Sequence, residues 1–214
     1  MDAVRASRLA GAAYVAGVRD ARVLEAIAAV PRAAYVPEGQ TLLADRDRPL
    51  PIAGGQVTTQ PSLVASMVEA LELDGTERVL EIGAGLGYQA AVLARLAREV
   101  WSVERREELA EAAAANLRAQ GVENATVVAG DGTEGLPAHA PFDAIVVAAA
   151  HHRVPPPLVA QLAPGGRLVQ PIGPGGHEDV TLFRLRTAGL VRERSVAAAR
   201  FVPLCGRHGF SDRW

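Results

Sequence analysis

The sequence predicts an α/β fold in which a mostly parallel sheet is covered by helices on both faces. From residue 62 onward, short apolar runs alternate with amphipathic helical patterns, as they do in chains built from β-α-β units. A glycine-rich turn follows the first apolar run, at residues 83–87. Two late runs, 180–186 and 196–204, have no clear helix between them and predict an antiparallel strand pair.

The alternating region predicts five strands and four helices. The strands are expected at 78–82, 99–103, 125–129, 143–149 and 166–172. The helices are expected at 62–72, 87–97, 106–120 and 155–163. A chain of 214 residues is long enough for one sizeable core, so a single domain is expected over 1–214. Residues 62–214 would form its core, and residues 1–61 would add helices and a binding loop.

The segment before this core predicts two short helices, 4–16 and 21–30. In the second, apolar residues recur every three or four positions from Val23 to Val30, Asp20 is placed to cap its start, and Pro31 ends it. Residues 37–61 are irregular and carry several prolines and glycines. A long loop inside a compact chain is more often a binding loop than a simple connection.

The composition favours a cytosolic globular protein without a nucleic-acid or membrane partner. The net charge of −2 gives no electrostatic reason to bind nucleic acid or an anionic membrane. With Cys205 as the only cysteine, an intrachain disulfide is excluded. The sequence contains no uninterrupted apolar run of about 18 residues, which a spanning helix would need, and it starts without a recognisable leader.

The glycine-rich turn predicts a nucleoside cofactor. Gly83, Gly85 and Gly87 follow a buried strand and precede a helix, so the backbone can approach a ligand closely. The spacing is G-x-G-x-G, because Tyr88 stands where the dinucleotide fingerprint would place its last glycine. An acidic residue, Glu81, lies within the strand end. These features fit S-adenosylmethionine better than NAD.

Acidic residues at the next two strand ends support this prediction. Glu104 ends the second strand, where a carboxylate takes ribose hydroxyls, and Asp131 follows the third, where it could accept from an adenine amino group. Taken singly, the turn, a helix-starting glutamate and a turn-forming aspartate are all commonplace. Their occurrence at three consecutive strand ends indicates a nucleoside site.

His151, His152 and Cys205 have simpler explanations than catalysis. Adjacent side chains in an extended segment point to opposite sides, so the two histidines would not converge on a metal, and no metal site is expected. A substrate-facing loop and a solvated loop both remain open for them. Cys205 is more typical of a small apolar filler than of a nucleophile, because no histidine lies beside it in sequence.

Several segments together carry a resemblance to a known family. They lie at 23–32, 50–61, 79–91, 130–132, 140–143 and 200–204. The glycine motif is common to many methyltransferases, whereas the Gln-x-x-x-Gln-Pro loop at 56–61 and the Phe-Val-Pro-Leu run at 201–204 are more specific. Along nearly its whole length, the chain resembles protein-L-isoaspartate O-methyltransferases.

The resemblance implies a fold and a reaction. The fold is a doubly wound, seven-stranded, Rossmann-like methyltransferase sheet with an N-terminal helical addition and an antiparallel C-terminal strand pair. The reaction moves the methyl group of S-adenosylmethionine, leaving S-adenosylhomocysteine, to the α-carboxylate of an L-isoaspartyl residue in a peptide or protein. The ester closes to a succinimide, which reopens partly to aspartate. A monomer is favoured.

The resemblance also implies roles for individual residues. The family's catalytic serine falls on Thr59, its threonine two places earlier becomes Val57, and Thr58 replaces an apolar residue. Together with the strand-end residues, this gives a cofactor site of Gln56, Val57, Thr58, Thr59, Gly83, Ala84, Gly85, Gly87, Glu104, Arg105, Asp131 and Gly132. Thr58, Val202 and Cys205 are expected near the substrate.

Three other functions remain open at this level. The altered loop at 57–59 is compatible with a peptide-tailoring methyltransferase that esterifies aspartate in one dedicated precursor. A non-catalytic module that binds S-adenosylmethionine is the second, although the intact glycine turn and both carboxylates argue against it. A nucleic-acid methyltransferase is the third and weakest, because the chain lacks a basic patch and only 4% of its residues are aromatic.

Overall fold

The computed structural model describes residues 2–174 and 176–211. The helices are α1 (Asp2–Val15), α2 (Ala21–Ala29), α3 (Pro61–Ala70), α4 (Tyr88–Ala94), α5 (Glu107–Ala119) and α6 (Pro156–Ala160). The strands are β1 (Leu50–Pro51), β2 (Val57–Thr58), β3 (Arg78–Ile82), β4 (Glu99–Glu104), β5 (Ala125–Ala129), β6 (Phe142–Val147), β7 (Leu162–Ile172), β8 (Glu178–Arg186) and β9 (Gly189–Ala199).

A seven-stranded sheet forms the centre of the molecule, in the order β5-β4-β3-β6-β7-β8-β9. The first five strands in this order are parallel, and β8 and β9 are antiparallel to their neighbours. This confirms the predicted doubly wound sheet with an antiparallel C-terminal pair. The chain reverses its direction of travel across the sheet between β3 and β6, and in such sheets ligands bind at the carboxyl ends of the strands beside that point.

Alternating side chains of the strands fill two apolar cores, one on each face of the sheet. On β3, Val79 joins the core beneath α1–α4, whereas Leu80 joins the core beneath α6. Both residues are fully buried. Leu204, beyond the last strand, belongs to the second core, so the C-terminal segment folds back onto the sheet.

The N-terminal helices pack onto the first core, and their ends are fixed by hydrogen bonds. Asp20 caps α2 as predicted, its carboxylate accepting from the backbone N–H of Arg22 at 2.9 Å. Glu69 on α3 accepts from the backbone N–H groups of Arg19 and Asp20 at 2.6 and 2.7 Å. These contacts join the helical addition to the helix that follows the binding loop.

The last strand was predicted in the wrong place. It was expected at 196–204, whereas β9 covers Gly189–Ala199 and residues 200–204 leave the sheet. The first part of β9 is an exposed edge of the sheet and has no apolar pattern. Besides the backbone pairing with β8, cross-strand ion pairs join it to that strand, with Glu193 accepting from Arg184 at 2.9 Å and from Arg186 at 2.7 Å.

Two other predicted features differ from the structure. The helix expected at 155–163 ends at Ala160, because β7 already begins at Leu162, where an irregular register pairs it with Phe142. The loop at 37–61 contains short 3-10 turns and the two-residue hairpin strands β1 and β2. No helix within the described residues is long and apolar enough to cross a membrane.

Candidate active site

The glycine-rich turn after β3 adopts a conformation that glycine favours. Gly83, Gly85 and Gly87 have φ angles of 94°, 55° and 94°, all in the left-handed region. The backbone N–H of Gly83 donates to the carbonyl of Val103 at 2.8 Å, which fixes the turn to β4. The turn therefore presents bare backbone at the carboxyl edge of the sheet, beside the switch point between β3 and β6.

Glu104 ends β4 and holds this turn. Its Oε2 accepts from the backbone N–H of Gly85 at 2.9 Å, and its Oε1 accepts from that of Arg106 at 3.0 Å. The residue is 8% exposed and lines the cavity described next. Since an ionised carboxylate offers about four acceptor positions, Glu104 can keep both bonds and still accept from a hydroxyl in the cavity.

A cavity of about 500 Å³ lies over the turn, bounded by the loop at 52–59, the ends of β3 and β4, and the C-terminal segment 202–205. It is large enough for a nucleoside cofactor, because small-molecule sites are typically about 300–1,000 Å³. Most of the predicted site residues line it: Gln56, Val57, Thr58, Thr59, Gly83, Ala84, Gly85, Glu104, Arg105, Gly132, Val202 and Cys205.

A second cavity, of about 330 Å³, continues from the first. It lies between the start of α3 and residues 196–202, and Ser62 and Ser66 are among the residues that line it. The two cavities share five lining residues, which are Val57, Thr58, Thr59, Ala148 and Val202. The loop that carries Thr59 therefore stands where the two spaces meet.

Buried Arg32 supports this loop from below. Its guanidinium donates to the carbonyls of Arg46 at 2.9 Å and Arg48 at 2.8 Å, and to Thr58 Oγ1 at 2.7 Å. Thr58 Oγ1 also accepts from the backbone N–H of Leu50 at 3.1 Å. The Thr58 hydroxyl thus stabilises the hairpin, whereas no described residue is hydrogen-bonded to the Thr59 hydroxyl.

The comparisons with known proteins agree with this architecture. The family described as protein-L-isoaspartate(D-aspartate) O-methyltransferase matches residues 8–209. A protein-L-isoaspartate O-methyltransferase of Roseiflexus sp. (strain RS-1) is 54% identical, over 91% of this chain and 89% of that one. One of Myxococcus xanthus is 50% identical, over 89% and 92%. The chain belongs to the protein-L-isoaspartate(D-aspartate) O-methyltransferase family.

Solved structures show the same fold. One protein-L-isoaspartate O-methyltransferase superposes with a TM-score of 0.83 and 31% identity, over 95% of this chain and 67% of the other. A Plasmodium falciparum protein, whose structure was solved in complex with S-adenosyl-L-homocysteine, has a TM-score of 0.77 and 22% identity, over 93% and 97%. At 22% identity, the similarity to the Plasmodium falciparum protein shows a shared fold only.

Two predicted cofactor residues of this family member do not line the cavity. Gly87 is the N-cap residue that precedes α4, where an added Cβ would lie 3.3 Å from the carbonyl oxygen of Ala113, so it allows α4 and α5 to pack closely. Asp131 accepts from the backbone N–H of Thr133 at 2.8 Å and of Arg207 at 2.7 Å. Burial acts to raise the pKa of Asp131, but these hydrogen bonds outweigh it and hold the pKa below its ordinary value.

Neither His151 nor His152 lines the two cavities described above. His151 is 8% exposed, and its Nδ1 donates to the carbonyl of Arg153 at 3.0 Å. The rings of both His151 and His152 contact the ring of Phe210. Across the described residues, no group of three or more histidine, cysteine, aspartate or glutamate side chains is placed to hold a metal ion.

Beneath the turn, Glu81 is fully buried. Ser102 Oγ donates to its Oε2, while its Oε1 has no hydrogen-bond partner among the described residues. Burial raises the pKa of Glu81 to about 7, the Ser102 hydrogen bond acting in the opposite direction and the nearby Glu104 charge adding to the rise. Glu81 itself does not line the cavity.

Several other residues line or border the cavity that the sequence did not indicate. Tyr35 and Tyr88 line it, with ring centroids 6.1 Å apart. Arg106 packs over Gly54 so closely that a Cβ there would lie 2.7 Å from its Cζ. Arg106 lies two residues after Glu104, and this closeness in sequence is what could have identified it as a site residue. Tyr35 reaches the cavity only because the N-terminal segment packs onto the sheet, so the sequence around it does not predict its place in the lining.

Proposed function

We propose that this chain transfers the methyl group of S-adenosylmethionine to the α-carboxylate of L-isoaspartyl residues in proteins, which initiates repair through a succinimide. The observation that carries the proposal is the meeting of two cavities at Thr58 and Thr59. A donor in the glycine-lined cavity and an acceptor in the other would face each other there. The names of the curated relatives, which are about half identical to this chain, support the substrate class.

The residues present fit S-adenosylmethionine. The bare backbone of Gly83 and Gly85 gives a close approach, and Glu104 retains acceptor capacity for ribose hydroxyls. Gly132 also lines the cavity, and a Cβ there would overlap the Ile82 side chain, so this part of the wall admits only glycine without a shift. When bound, S-adenosylmethionine supplies a methyl group activated by a positively charged sulfonium.

The protein's own task is alignment. The acceptor is already ionised near neutral pH, because peptide carboxyl groups titrate at about 3–4, and so no general base is needed. The enzyme must hold the carboxylate oxygen in line with the methyl group and exclude water, which makes orientation the main source of acceleration. A site built from backbone, hydroxyls and small side chains such as Ala148 suits that task.

We assign the orienting role to Thr59. Thr59 lines both cavities, and its hydroxyl has no protein partner among the described residues, so it can donate to a carboxylate. Arg32 and Thr58 keep the loop in place by the hydrogen bonds described above. The Thr58 hydroxyl, which replaces an apolar side chain of the family, is hydrogen-bonded within the hairpin. The Thr59 hydroxyl can therefore be the one that contacts the substrate.

Methyl transfer to a matched pair of peptides tests the proposal. One peptide carries L-isoaspartate and the other aspartate at the same position, and radiolabelled methyl ester formation is measured with each. Strong labelling of the isoaspartyl peptide alone is expected. Labelling of neither peptide would contradict the proposal, and preferential labelling of the aspartyl peptide would favour a peptide-tailoring enzyme instead.

A further inference from the structure

Thr59 has a charged group holding the chain on each side of it. On the N-terminal side, the Arg32 guanidinium donates to Thr58 Oγ1 at 2.7 Å and to the Thr59 carbonyl at 3.4 Å. On the C-terminal side, Gln60 Nε2 donates to Asp47 Oδ2 at 2.9 Å. Arg32 and Asp47 have opposite charges, so together they hold this stretch without adding net charge beside it.

Asp47 also holds the start of α3. Gln60 is the N-cap residue of this helix, but its side chain makes no capping hydrogen bond. Instead, Asp47 Oδ1 accepts from the backbone N–H of Ser62 at 2.8 Å, and a carboxylate at this end of a helix also interacts favourably with the helix dipole. One carboxylate therefore fixes Gln60 with one oxygen and the first turn of α3 with the other.

The segment that Asp47 fixes borders the second cavity. Gln60 and Ser62 both line it, and Ser62 is 3% exposed. Gln60 Nε2 also donates to Ser62 Oγ at 2.9 Å, which joins the two lining residues to each other. Neither Asp47 nor Gln60 lines the first cavity. The contacts of Asp47 thus lie on the acceptor side of Thr59.

The direction of the Thr59 hydroxyl depends on its backbone. Threonine is β-branched, and its side chain has few accessible rotamers about the Cα–Cβ bond. The hydroxyl therefore follows any shift of the main chain at 58–60. In a reaction that depends on alignment, a displacement of about 1 Å can cost up to about 100-fold in rate.

We propose that Asp47 is a positioning residue for methyl transfer: by holding Gln60 and the start of α3, it fixes the backbone at Thr59 so that the hydroxyl faces the acceptor carboxylate. Asp47 acts through Thr59 and touches neither donor nor acceptor. The inference rests on the proposed function for the role of Thr59.

Three variants change the Asp47 contacts in different ways. Asp47→Ala removes both hydrogen bonds. Gln60→Glu alone sets two carboxylates against each other. Combined with Asp47→Asn, Gln60→Glu restores the contact with reversed polarity, because the asparagine N–H₂ group donates to the glutamate while its oxygen still accepts from the Ser62 N–H. Asp45→Ala is the matched control, since Asp45 lies in the same loop and pairs with the exposed Arg8 side chain at 3.2 Å.

The first readout is a double-mutant cycle in kcat. Asp47→Ala should lower kcat by about 10- to 100-fold, with the dissociation constant of S-adenosylhomocysteine within about threefold of wild type, and Asp45→Ala should leave both unchanged. In a Thr59→Ala background, Asp47→Ala should change kcat by less than about threefold, because the group it positions is already absent. An undiminished loss in that background, or an equal loss of S-adenosylhomocysteine affinity, would overturn the proposal.

The second readout is rescue. Gln60→Glu should lower kcat about as much as Asp47→Ala does, and addition of Asp47→Asn should bring kcat back to within about fivefold of wild type at saturating peptide. A double variant no faster than Gln60→Glu alone would contradict the assignment, because the restored hydrogen bond would then have no influence on the reaction.

Hydrogen exchange separates this inference from the proposed function. The kinetic comparisons use whichever of the isoaspartyl and aspartyl peptides the wild type methylates, so a different acceptor would count against the proposed function alone. Exchange of the Ser62 amide, measured by NMR without ligands, is independent of the reaction. It should be about tenfold or more faster in Asp47→Ala, as for loss of a charge-assisted hydrogen bond, and unchanged in Asp45→Ala. Exchange at the wild-type rate in Asp47→Ala would refute the role of Asp47.

Discussion

Replacement of Glu104 by glutamine tests the cofactor site directly. The carboxylate accepts two backbone N–H groups, from Gly85 at 2.9 Å and Arg106 at 3.0 Å, and retains positions for ribose hydroxyls. Glutamine has one acceptor oxygen and an N–H₂ group, so one of these donors loses its partner and the charge is removed. The residue is 8% exposed, and solvent therefore screens the loss only weakly.

The size of the effect follows from the bonds that change. A hydrogen bond to a charged group contributes about 1.5–3 kcal/mol, and each 1.4 kcal/mol corresponds to about tenfold in affinity. Glu104→Gln should therefore weaken binding of S-adenosylhomocysteine by about 10- to 150-fold. Since Glu104 does not touch the reacting groups, kcat at saturating S-adenosylmethionine should stay within about threefold of wild type.

Calorimetric titration with S-adenosylhomocysteine measures this affinity without turnover. Glu108→Gln serves as the control, because Glu108 is exposed in the first turn of α5 and the net charge changes by the same amount. Its dissociation constant should match that of the wild type. If Glu104→Gln bound within twofold of wild type, or if both variants were weakened equally, Glu104 would not be a specific cofactor ligand.

Three further predictions concern Thr59, Glu81 and Arg32. Thr59→Ala should lower kcat by about one to three orders of magnitude, as for loss of a transition-state donor, whereas Thr59→Ser should stay active; equal steady-state rates for both would remove Thr59 from the mechanism. The folded-state pKa of Glu81 is raised from 4.5 to about 7, so its burial costs stability progressively as pH rises through that window and the cost is complete above it. Glu81→Gln should therefore gain about 3 kcal/mol relative to wild type between pH 4 and 8 in urea unfolding, and a pH-independent difference would disprove the linkage. Arg32→Lys should lower the free energy of unfolding by about 2–4 kcal/mol, because one ammonium cannot reach the carbonyls of both Arg46 and Arg48; an unchanged denaturation midpoint would contradict this.

The central strands and the glycine turn could be predicted from sequence because their signals are local. The bounds of β3 and β5 were correct to the residue, since each is a compact run that follows the pattern of a buried or half-buried strand. The cavity lining was largely predictable for the same reason, as the residues at parallel strand ends share one edge. Because the core packed by α1 and α2 is continuous with the sheet, we propose that the chain folds as one domain.

The features that the sequence does not indicate depend on contacts between distant residues. Nothing in the sequence near Asp131 indicates that Arg207, 76 positions later, donates to it. The hydrogen bond from Arg32 to Thr58 spans 26 positions, and no local sequence pattern indicates it either. The first half of β9 is an exposed polar edge whose ion pairs to β8 leave no alternating pattern, so the apolar run beyond it was taken for the strand.

A crystal structure with S-adenosylhomocysteine and an isoaspartyl peptide would show whether the two cavities hold methyl donor and acceptor. The nucleoside is expected in the glycine-lined cavity with its ribose hydroxyls on Glu104, and the peptide in the second cavity with its free α-carboxylate beside the Thr59 hydroxyl. A nucleoside bound elsewhere, or a peptide carboxylate far from Thr59, would contradict it.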